Sequence, residues 1–306
     1  MTVLVRDFLP TDAAAWARVG HAAMPYIVTT PEQVAFDLAS ARSEEHRRLL
    51  VAEEGGEIIA IARTGLVPDG PEPGLAFCDP YTHPDRTGRG AGGLLLRTAE
   101  EHLAMEGART VYTWVLDTPS NRAFAEKRGY APSRSAHFLR LDLSGGALPP
   151  RPAVPAGVEL RTGADFADDP RPLFEADAET TADEPSDTPA ELSDYEHWLR
   201  QTWRHPALDH ELTSVVTVDG EVAAFTAART DGRTRYMSGM TGTRRAYRGR
   251  GLAKLAKHDS LSRARAAGYA DAYTGNDADN APMLAVNRWF GYEICATEVR
   301  HVRDLG

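Results

Sequence analysis

The chain has 306 residues, enough for one large domain or for two of about 150 residues each. Hydrophobic residues make up 42% of it and charged residues 25%, as in ordinary globular proteins. The formal net charge of −10 argues against a general binder of nucleic acid or of acidic membranes, because such binding needs a broad basic face.

The first residues and the cysteines indicate no special location. The chain reaches Arg6 and Asp7 before any long apolar run, so no signal peptide is predicted. No uncharged stretch approaches the roughly 18 residues that a membrane span needs. Cys78 and Cys295 have no ligand or redox spacing, and both are expected to be buried thiols. We expect a cytoplasmic monomer or homodimer with no metal, and with neither nucleic acid nor membrane as a partner.

The first half of the sequence predicts a helix, a hairpin and a strand, then a glycine-rich loop, and after it a helix, a strand, a helix and a last strand. The hairpin turn is expected at Gly55-Gly56, and Gly129 is expected to end the last helix. Periodicity predicts the opening helix at 10–24, the hairpin at 48–65, and strands at 74–83, 110–117 and 136–143.

The second half repeats this order. A hairpin is predicted at 214–230 with its turn at Asp219-Gly220, and a strand at 234–243 leads into the second glycine-rich loop. A later helix should end at Gly291, and an alternating strand at 298–305 closes the copy. Landmarks that recur in one order indicate a duplicated domain with a mixed α/β fold of the α+β type.

A proline-rich segment separates the two copies. Its prolines fix φ and remove backbone donors, which is typical of a stiff, extended linker. The sequence therefore predicts an N-terminal domain at 1–146, a linker at 147–157 and a C-terminal domain at 158–306.

The loop RGRGLAKLAK at 248–257 has the features of a phosphate site. Glycines let the backbone approach a ligand closely, and the helix that follows offers unpaired N–H groups and a positive dipole end. Arg248 and Arg250 would add charge, and Lys254 and Lys257 follow one and two turns later. Neither the GxxxxGK[ST] loop of nucleotide triphosphatases nor a dinucleotide-binding GxGxxG is present here.

The run Arg248-x-x-Gly251-x-Ala253 resembles the [QR]-x-x-G-x-[GA] signature of the GNAT family, the acetyl-CoA-dependent N-acyltransferases. The strand order, the later asparagine helix and the closing Gly-Tyr pair are also similar, and the resemblance covers essentially the whole chain twice. It implies two domains, each with a mostly antiparallel sheet flanked by helices and a splayed strand at the coenzyme site. The first copy has Thr87 in place of the arginine. We therefore expect a degenerate, supporting first copy and a catalytic second copy.

The resemblance also implies which residues hold acetyl-CoA. Asn280 lies eleven residues before Gly291, a spacing at which this family commonly contacts the coenzyme, whereas Asn121 lies only eight before Gly129. Backbone groups of the strand before the loop would hold the pantetheine arm. The residues assigned to acetyl-CoA are Thr241, Gly242, Thr243, Arg248, Gly249, Arg250, Gly251, Leu252, Ala253, Asn276 and Asn280.

Acetyl transfer needs an amine that loses its proton, a polarised thioester carbonyl and a thiolate that leaves. Many GNAT enzymes carry a tyrosine acid four residues before the last glycine, but Ala125 and Asn287 occupy those positions here. Asn287 is able to donate a hydrogen bond to the sulfur or the carbonyl. Candidates to take the amine proton are Asp183, Glu184, Tyr236 and Tyr273.

The segment 165–196 contains twelve Asp or Glu and one base, Arg171. Beside an acceptor site it would steer a cationic substrate inward, although such a run is also typical of a solvated face. The sequence predicts an N-acetyltransferase that moves an acetyl group from acetyl-CoA to the amine of a small cationic metabolite or antibiotic. The alternative is a non-catalytic, acetyl-CoA-gated binding or sensor protein, a hypothesis that would explain why both copies lack the tyrosine.

Overall fold

The computed structural model describes residues 2–70, 72–184 and 192–306, which form two compact units. The first unit comprises Met1–Ala136 and Ala296–Gly306, and the second comprises His137–Cys295. No helix able to span a membrane is found among the residues that the structure describes.

The elements of the first unit include those predicted, in the predicted order, together with a strand before the opening helix and a second helix after it, neither of which was predicted. They are β1 (Val3–Asp7), α1 (Ala13–Ala23), α2 (Pro31–Ala39), β2 (Arg48–Glu54), β3 (Glu57–Leu66), β4 (Leu75–Thr82), α3 (Ala91–Met105), β5 (Thr110–Leu116), α4 (Pro119–Glu126) and the start of β6 (Ala131–Asp142). The sheet order is β1-β2-β3-β4-β5, with β4 and β5 parallel and the other pairs antiparallel.

The second unit repeats the plan. Its elements are β7 (Val158–Thr162), α5 (Arg171–Thr181), α6 (Tyr195–Trp198), β8 (Ser214–Val218), β9 (Glu221–Thr230), β10 (Arg235–Thr243), α7 (Leu252–Ala266), β11 (Asp271–Asp277), α8 (Ala281–Phe290) and the start of β12 (Glu293–Asp304). The sheet order is β11-β10-β9-β8-β7, in which β10 and β11 are parallel and the other pairs are antiparallel. The mixed, mostly antiparallel sheet flanked by helices is therefore confirmed for both copies.

Both predicted hairpin turns are present, and their backbone explains their sequences. Gly55 and Gly56 have φ of 61° and 83°, and Asp219 and Gly220 have φ of 51° and 88°. Positive φ at both central residues is the requirement of a type I′ turn, whose twist matches that of the flanking strands. Glycine, and less readily aspartate, adopts that conformation.

Helices cover both faces of the second sheet because its strands are apolar on both sides. Val215 packs with Leu173 of α5, whereas its neighbour Val216 packs with Leu252 of α7. Successive strand side chains point to opposite faces, so one strand serves two cores. Full burial of each such side chain contributes roughly 1.5–3 kcal/mol.

The last strands do not close their own copies, contrary to the prediction. Residues 298–304 of β12 pair antiparallel with β5 in the first unit, from Glu298↔Leu116 to Asp304↔Thr110. Residues 137–142 of β6 lie in the second unit, in which β6 neighbours β11. The compact units thus differ from the predicted limits 1–146 and 158–306. Alternation fixes which face a strand buries but does not specify the edge with which it pairs. The segment 147–157 contains no helix or strand, as expected of a linker.

The two cysteines lie in different environments. Cys78 is buried in β4, as predicted, but Cys295 is exposed, and that prediction was wrong. Cys295 belongs to the first residues of β12, which are exposed, although its Sγ lies 3.3 Å from the carbonyl oxygen of Phe138.

Candidate active site

The central feature of the second unit is the separation of β10 from β11. Their parallel pairing runs from Arg235↔Asp271 to Ser238↔Thr274 and then stops, although both strands continue. On its other side, β10 shifts register against β9 between Ser238 and Thr241. A bulge bends its strand, and glycine permits it. The predicted splayed strand is therefore present. Thr241, Gly242 and Thr243 lie on the section of β10 that still pairs with β9 but no longer pairs with β11.

Gly242 is required by a close approach of α5. A Cβ at this position would lie 2.5 Å from Oγ1 of Thr180, which is far inside van der Waals contact. The Thr180 hydroxyl donates to the carbonyl oxygen of Ala176 at 2.9 Å and is therefore fixed. The glycine lets α5 pack directly on the splayed strand.

The loop that follows β10 has the backbone of an anion site. Gly249 and Gly251 have φ of 76° and 75°, and a Cβ at either would meet no atom within 4 Å. Gly251 is the N-cap of α7, and no side chain caps that helix in the described structure. The first N–H groups of a helix have no intrahelical partner, so they are available to a bound anion. The side chain of Leu252 is buried in the core, so only the backbone N–H of Leu252 is available to a ligand at the loop.

The arginines of this loop form ion pairs with α5 and the residues just after it. Arg244 Nε donates to Glu179 at 2.9 Å. Arg245 binds Asp183 through two nitrogens, at 2.8 and 2.6 Å, and Arg248 also donates to Asp183. Arg250 is exposed and lies 5.8 Å from the ring centre of Tyr247, as measured from its Cζ.

Asp183 therefore does not have the environment of a general base. The hydrogen bonds from Arg245 and Arg248 lower the pKa of its carboxyl to about 2. A carboxylate with so low a pKa is a poor proton acceptor at neutral pH. The structure argues against the predicted role in proton abstraction and places Asp183 among the charges that hold the loop.

The other predicted bases are scattered. Tyr236 is fully buried, burial raises the pKa of its phenol, and its oxygen lies 2.6 Å from Ser260 Oγ. Tyr273 is buried in the paired part of β11, with Cζ of Arg235 5.0 Å from its ring centre. Glu184 is exposed two residues beyond the C-cap of α5. No base for the acceptor amine emerges from the three.

The acidic segment 165–196 is largely engaged in structure. Asp187 and Glu191 lie outside the described residues. Asp177 is buried and accepts from Trp198 Nε1 at 2.7 Å, and burial raises the pKa of its carboxyl. Among the described acids of the segment, at least six accept hydrogen bonds from backbone or side-chain donors: Asp165, Asp169, Asp177, Glu179, Asp183 and Asp194. Among them, Glu179 and Asp183 are paired with arginines, so their charges are not available for long-range steering of a cation.

Asn280 caps α8, and Asn287 lies inside that helix. The side chain of Asn280 accepts from the backbone N–H of Met283 at 3.2 Å. Asn287 is fully buried, and both ends of its amide are engaged: Oδ1 accepts from Lys257 Nζ at 2.6 Å, and Nδ2 donates to Asn276 Oδ1 at 2.5 Å. Asn276 is partly exposed on the separated section of β11. Of the two, Asn276 and not Asn287 is thus the amide nearer to solvent.

Lys257 was noted only as a cation two turns after the loop, and it was missed as a site residue. It is fully buried, and burial lowers the pKa of its amine to about 7. The sequence held one signal: Lys257 lies four residues before Leu261 and seven before Ala264, on an apolar face of α7.

The first unit has the same loop backbone but a different gap. Gly88 and Gly90 have φ of 77° and 86°, and a Cβ on either would meet no atom within 4 Å. Pairing of β4 with β5 is parallel only over Leu75–Phe77. Beyond it, buried Asp79 accepts from the backbone N–H of Trp114 at 3.2 Å, so a side chain bridges the two strands. Counted from the first residue of each parallel pair, the second unit has Gly239 at this position.

The fold and the loop together define an acyltransferase of the GNAT type. The sequence model of the acetyltransferase (GNAT) family matches residues 16–130 and 175–292. The chain therefore belongs to the GNAT family, and it is an acyltransferase that carries the family fold twice in tandem.

Curated relatives and solved structures agree with this family. The mycothiol acetyltransferase of Clavibacter michiganensis is 30% identical over 272 residues, which are 85% of this chain and 85% of that protein. The mycothiol acetyltransferase of Clavibacter sepedonicus is 28% identical over 315 residues, or 97% and 99% of the two chains.

Two solved structures share the fold over the whole chain. A tandem GNAT protein from the clavulanic acid biosynthesis pathway has a TM-score of 0.74 at 22% identity, with 100% of this chain and 99% of that chain covered. A GCN5-related N-acetyltransferase from Sphaerobacter thermophilus has a TM-score of 0.73 at 23% identity, with 99% and 95% covered.

Proposed function

We propose that the second unit transfers the acetyl group of acetyl-CoA to the amine nitrogen of a small molecule. One observation carries the proposal: the loop 248–251, with two left-handed glycines, leads into an uncapped helix N-terminus directly after a strand that has separated from its neighbour. The unpaired strand edge is followed directly by the anion site. Such an arrangement suits a ligand that has an amide-containing arm at one end, for the strand edge, and phosphates at the other, for the loop.

In this proposal the pyrophosphate binds the backbone N–H groups from Gly249 to Ala253, and the guanidinium groups of Arg248 and Arg250 add charge. The pantetheine arm binds the free edge of β10 at Thr241, Gly242 and Thr243. Asn276 and Asn280 lie on β11 and at the start of α8, and they complete the coenzyme site. The open space around Gly249 and Gly251 supports this fit.

The reaction requires few groups from the protein. The amine nitrogen attacks the thioester carbonyl carbon, a C–N bond forms, and the C–S bond breaks. The nitrogen loses one proton, and the leaving thiolate gains one. Donors near the separated strands would stabilise the oxyanion of the tetrahedral intermediate. The enzyme contributes mainly by holding the two reactants in line.

The first unit is proposed to support the second rather than to bind acetyl-CoA. Its loop would suit phosphate, but Asp79 bridges the gap that the pantetheine arm would enter. Gly239 leaves the matching place in the second unit without a side chain. This difference supports the assignment of the coenzyme to the second copy more strongly than the loops do, since their backbones agree.

The acceptor is proposed to be a small primary amine. Relatives named mycothiol acetyltransferase make a mycothiol-related amine the first acceptor to test. A cationic acceptor remains the second choice, because Glu184 is exposed and directly follows Asp183, which binds two arginines of the loop.

A thiol-release assay tests the proposal. Acetyl-CoA is mixed with the full chain and a panel of mycothiol-related, cationic and neutral amines, and each product is examined by mass spectrometry for one added acetyl group. Reactions without amine measure hydrolysis. We expect amine-dependent thiol release. Tight acetyl-CoA binding without release for any amine would instead support the non-catalytic sensor.

A further inference from the structure

Three polar side chains form a buried chain behind the separated strands of the second unit. Lys257 on α7 donates to Asn287 on α8 at 2.6 Å, and Asn287 donates to Asn276 on β11 at 2.5 Å. Lys257 and Asn287 are fully buried, whereas Asn276 is partly exposed. The chain therefore runs from the interior to the section of β11 that no longer pairs with β10.

The ammonium group fixes the orientation of both amides. A protonated lysine donates hydrogen bonds and accepts none, so the Asn287 atom facing it must be Oδ1. Nδ2 of Asn287 then faces Asn276, and the atom that accepts there must be Oδ1. Nδ2 of Asn276 is left as a donor, and no acceptor for it is found within the described part of the chain. A neutral amine also accepts hydrogen bonds, so the order is enforced only while Lys257 is protonated.

The first unit shows that the fold does not need this chain. Leu96, the sixth residue of α3, takes the position that Lys257 has in α7. Ala125 precedes Gly129 by the spacing that separates Asn287 from Gly291, and Val115 is the sixth residue of β5, as Asn276 is of β11. Leu96, Ala125 and Val115 pack together in one apolar core.

Few titratable groups surround the lysine. The ring centre of Tyr292 lies 4.9 Å from its Nζ, and Tyr236 of β10 contacts α7 through Ser260. Burial raises the pKa of both phenols, so neither ionises near neutral pH. On α7 itself Asp259 is bound to Arg263. Desolvation is the cause of the lowered pKa of Lys257, which lies at about 7.

We infer that Lys257 is a positioning residue for acetyl transfer. Through Asn287 it orients the amide of Asn276 so that the N–H groups of Asn276 point away from Asn287. These N–H groups then donate to the thioester oxygen or to the leaving sulfur. This inference rests on the proposed function. It gives the position that lacks the usual tyrosine acid a different task, in which an amide stabilises developing negative charge without transferring a proton.

The test compares the wild type with Lys257→Met and with a triple variant that has the residues of the first unit, Lys257→Leu, Asn287→Ala and Asn276→Val. The triple variant keeps the test open if the single one does not fold. We expect kcat to fall about 10- to 100-fold in both, as for a lost or misdirected donor. In Lys257→Met the KM values for acetyl-CoA and amine should stay within about threefold. In the triple variant the KM for acetyl-CoA should also rise, because Asn276→Val removes a proposed coenzyme contact. The ratio of wild-type kcat to that of Lys257→Met should fall as pH rises through about 7, because the wild type loses its ammonium group.

Two results would overturn the inference. One is a folded variant with kcat within threefold of the wild type at pH 6. The other is a loss of kcat in Lys257→Met that is matched by loss of acetyl-CoA binding and is constant with pH, as a purely structural role predicts. Absence of amine-dependent thiol release from the wild type itself would contradict the proposed function instead, so the two failures are distinguishable.

Discussion

The buried lysine makes a quantitative prediction about stability. The pKa of Lys257 falls from 10.5 to about 7 on folding because burial removes its solvation. At about 1.4 kcal/mol per pKa unit, the shift corresponds to an upper limit of about 5 kcal/mol of lost stability when the group is protonated in both states. Between pH 7 and 10.5 the unfolded chain holds a proton that the folded chain lacks. Stability therefore rises with pH in this window, and below pH 7 the cost is nearly complete.

The replacement Lys257→Met removes this cost, since methionine has a similar length and no charge to desolvate. It also leaves Asn287 Oδ1 without its donor, which costs about 1–3 kcal/mol at any pH. The pH-dependent part is thus the diagnostic one. Between pH 6 and pH 9, the difference in free energy of unfolding, wild type minus variant, should rise by up to about 3 kcal/mol.

Urea unfolding followed by circular dichroism at several pH values provides the measurement, with equal m-values as the check that the same surface unfolds. Lys254→Met is the matched control, because Lys254 lies on the same helix but is partly exposed. The difference in free energy of unfolding between Lys254→Met and the wild type should not show this rise between pH 6 and 9. A Lys257→Met difference that is flat between pH 6 and 9 would refute the burial argument.

Three further predictions concern the loop and the helices around it. Gly242→Ala should lower the free energy of unfolding by about 1–3 kcal/mol, because its Cβ would overlap Thr180, and thermal melting will show whether it does. Asn280→Ala should lower the free energy of unfolding by about 0.5–2 kcal/mol, because α8 loses its N-cap. An unchanged melting temperature would contradict the capping role, and a raised KM for acetyl-CoA would show that Asn280 also contacts the coenzyme. Asp183→Asn should strengthen acetyl-CoA binding up to about fivefold at low salt, since a carboxylate that competes with phosphate for Arg248 is gone, and weaker binding in calorimetry would show that Asp183 positions the arginine instead.

The sequence predicted what depends on local geometry. Gly55-Gly56 and Asp219-Gly220 predicted the positions of the hairpin turns, and Gly291 predicted the end of α8, where its φ is 88°. Each of these residues is favoured at its position because the backbone there has positive φ, which glycine adopts without strain. The two glycines of the loop at 248–251 were interpreted as allowing a ligand to approach the backbone, and both have left-handed φ.

What the sequence did not predict depends on tertiary partners. Lys257 was not recognised as a buried residue, because its partner, Asn287, lies thirty residues later on another helix. Asp183 was taken for a base because nothing local shows that Arg245 binds it through two nitrogens. The comparison of the two copies would have helped, since the first copy has leucine at the position of Lys257.

The pairing of the last strands also depends on distant parts of the chain. An alternating strand such as 298–304 carries no mark of which sheet edge it will join, and it joins β5 of the first unit. Asp79 was likewise not recognised, although it is the residue that bridges β4 and β5.

The most direct test of the central claim, that the second unit holds acetyl-CoA, is calorimetric titration of the paired variants Gly251→Val and Gly90→Val. Both glycines have positive φ, 75° and 86°, and a Cβ at either meets no protein atom within 4 Å, so the backbone strain of the two substitutions is matched. A difference between them therefore reports contact with the ligand. We predict one acetyl-CoA per chain for the wild type and for Gly90→Val, and no measurable binding for Gly251→Val. Binding that survives in Gly251→Val and disappears in Gly90→Val would contradict the assignment.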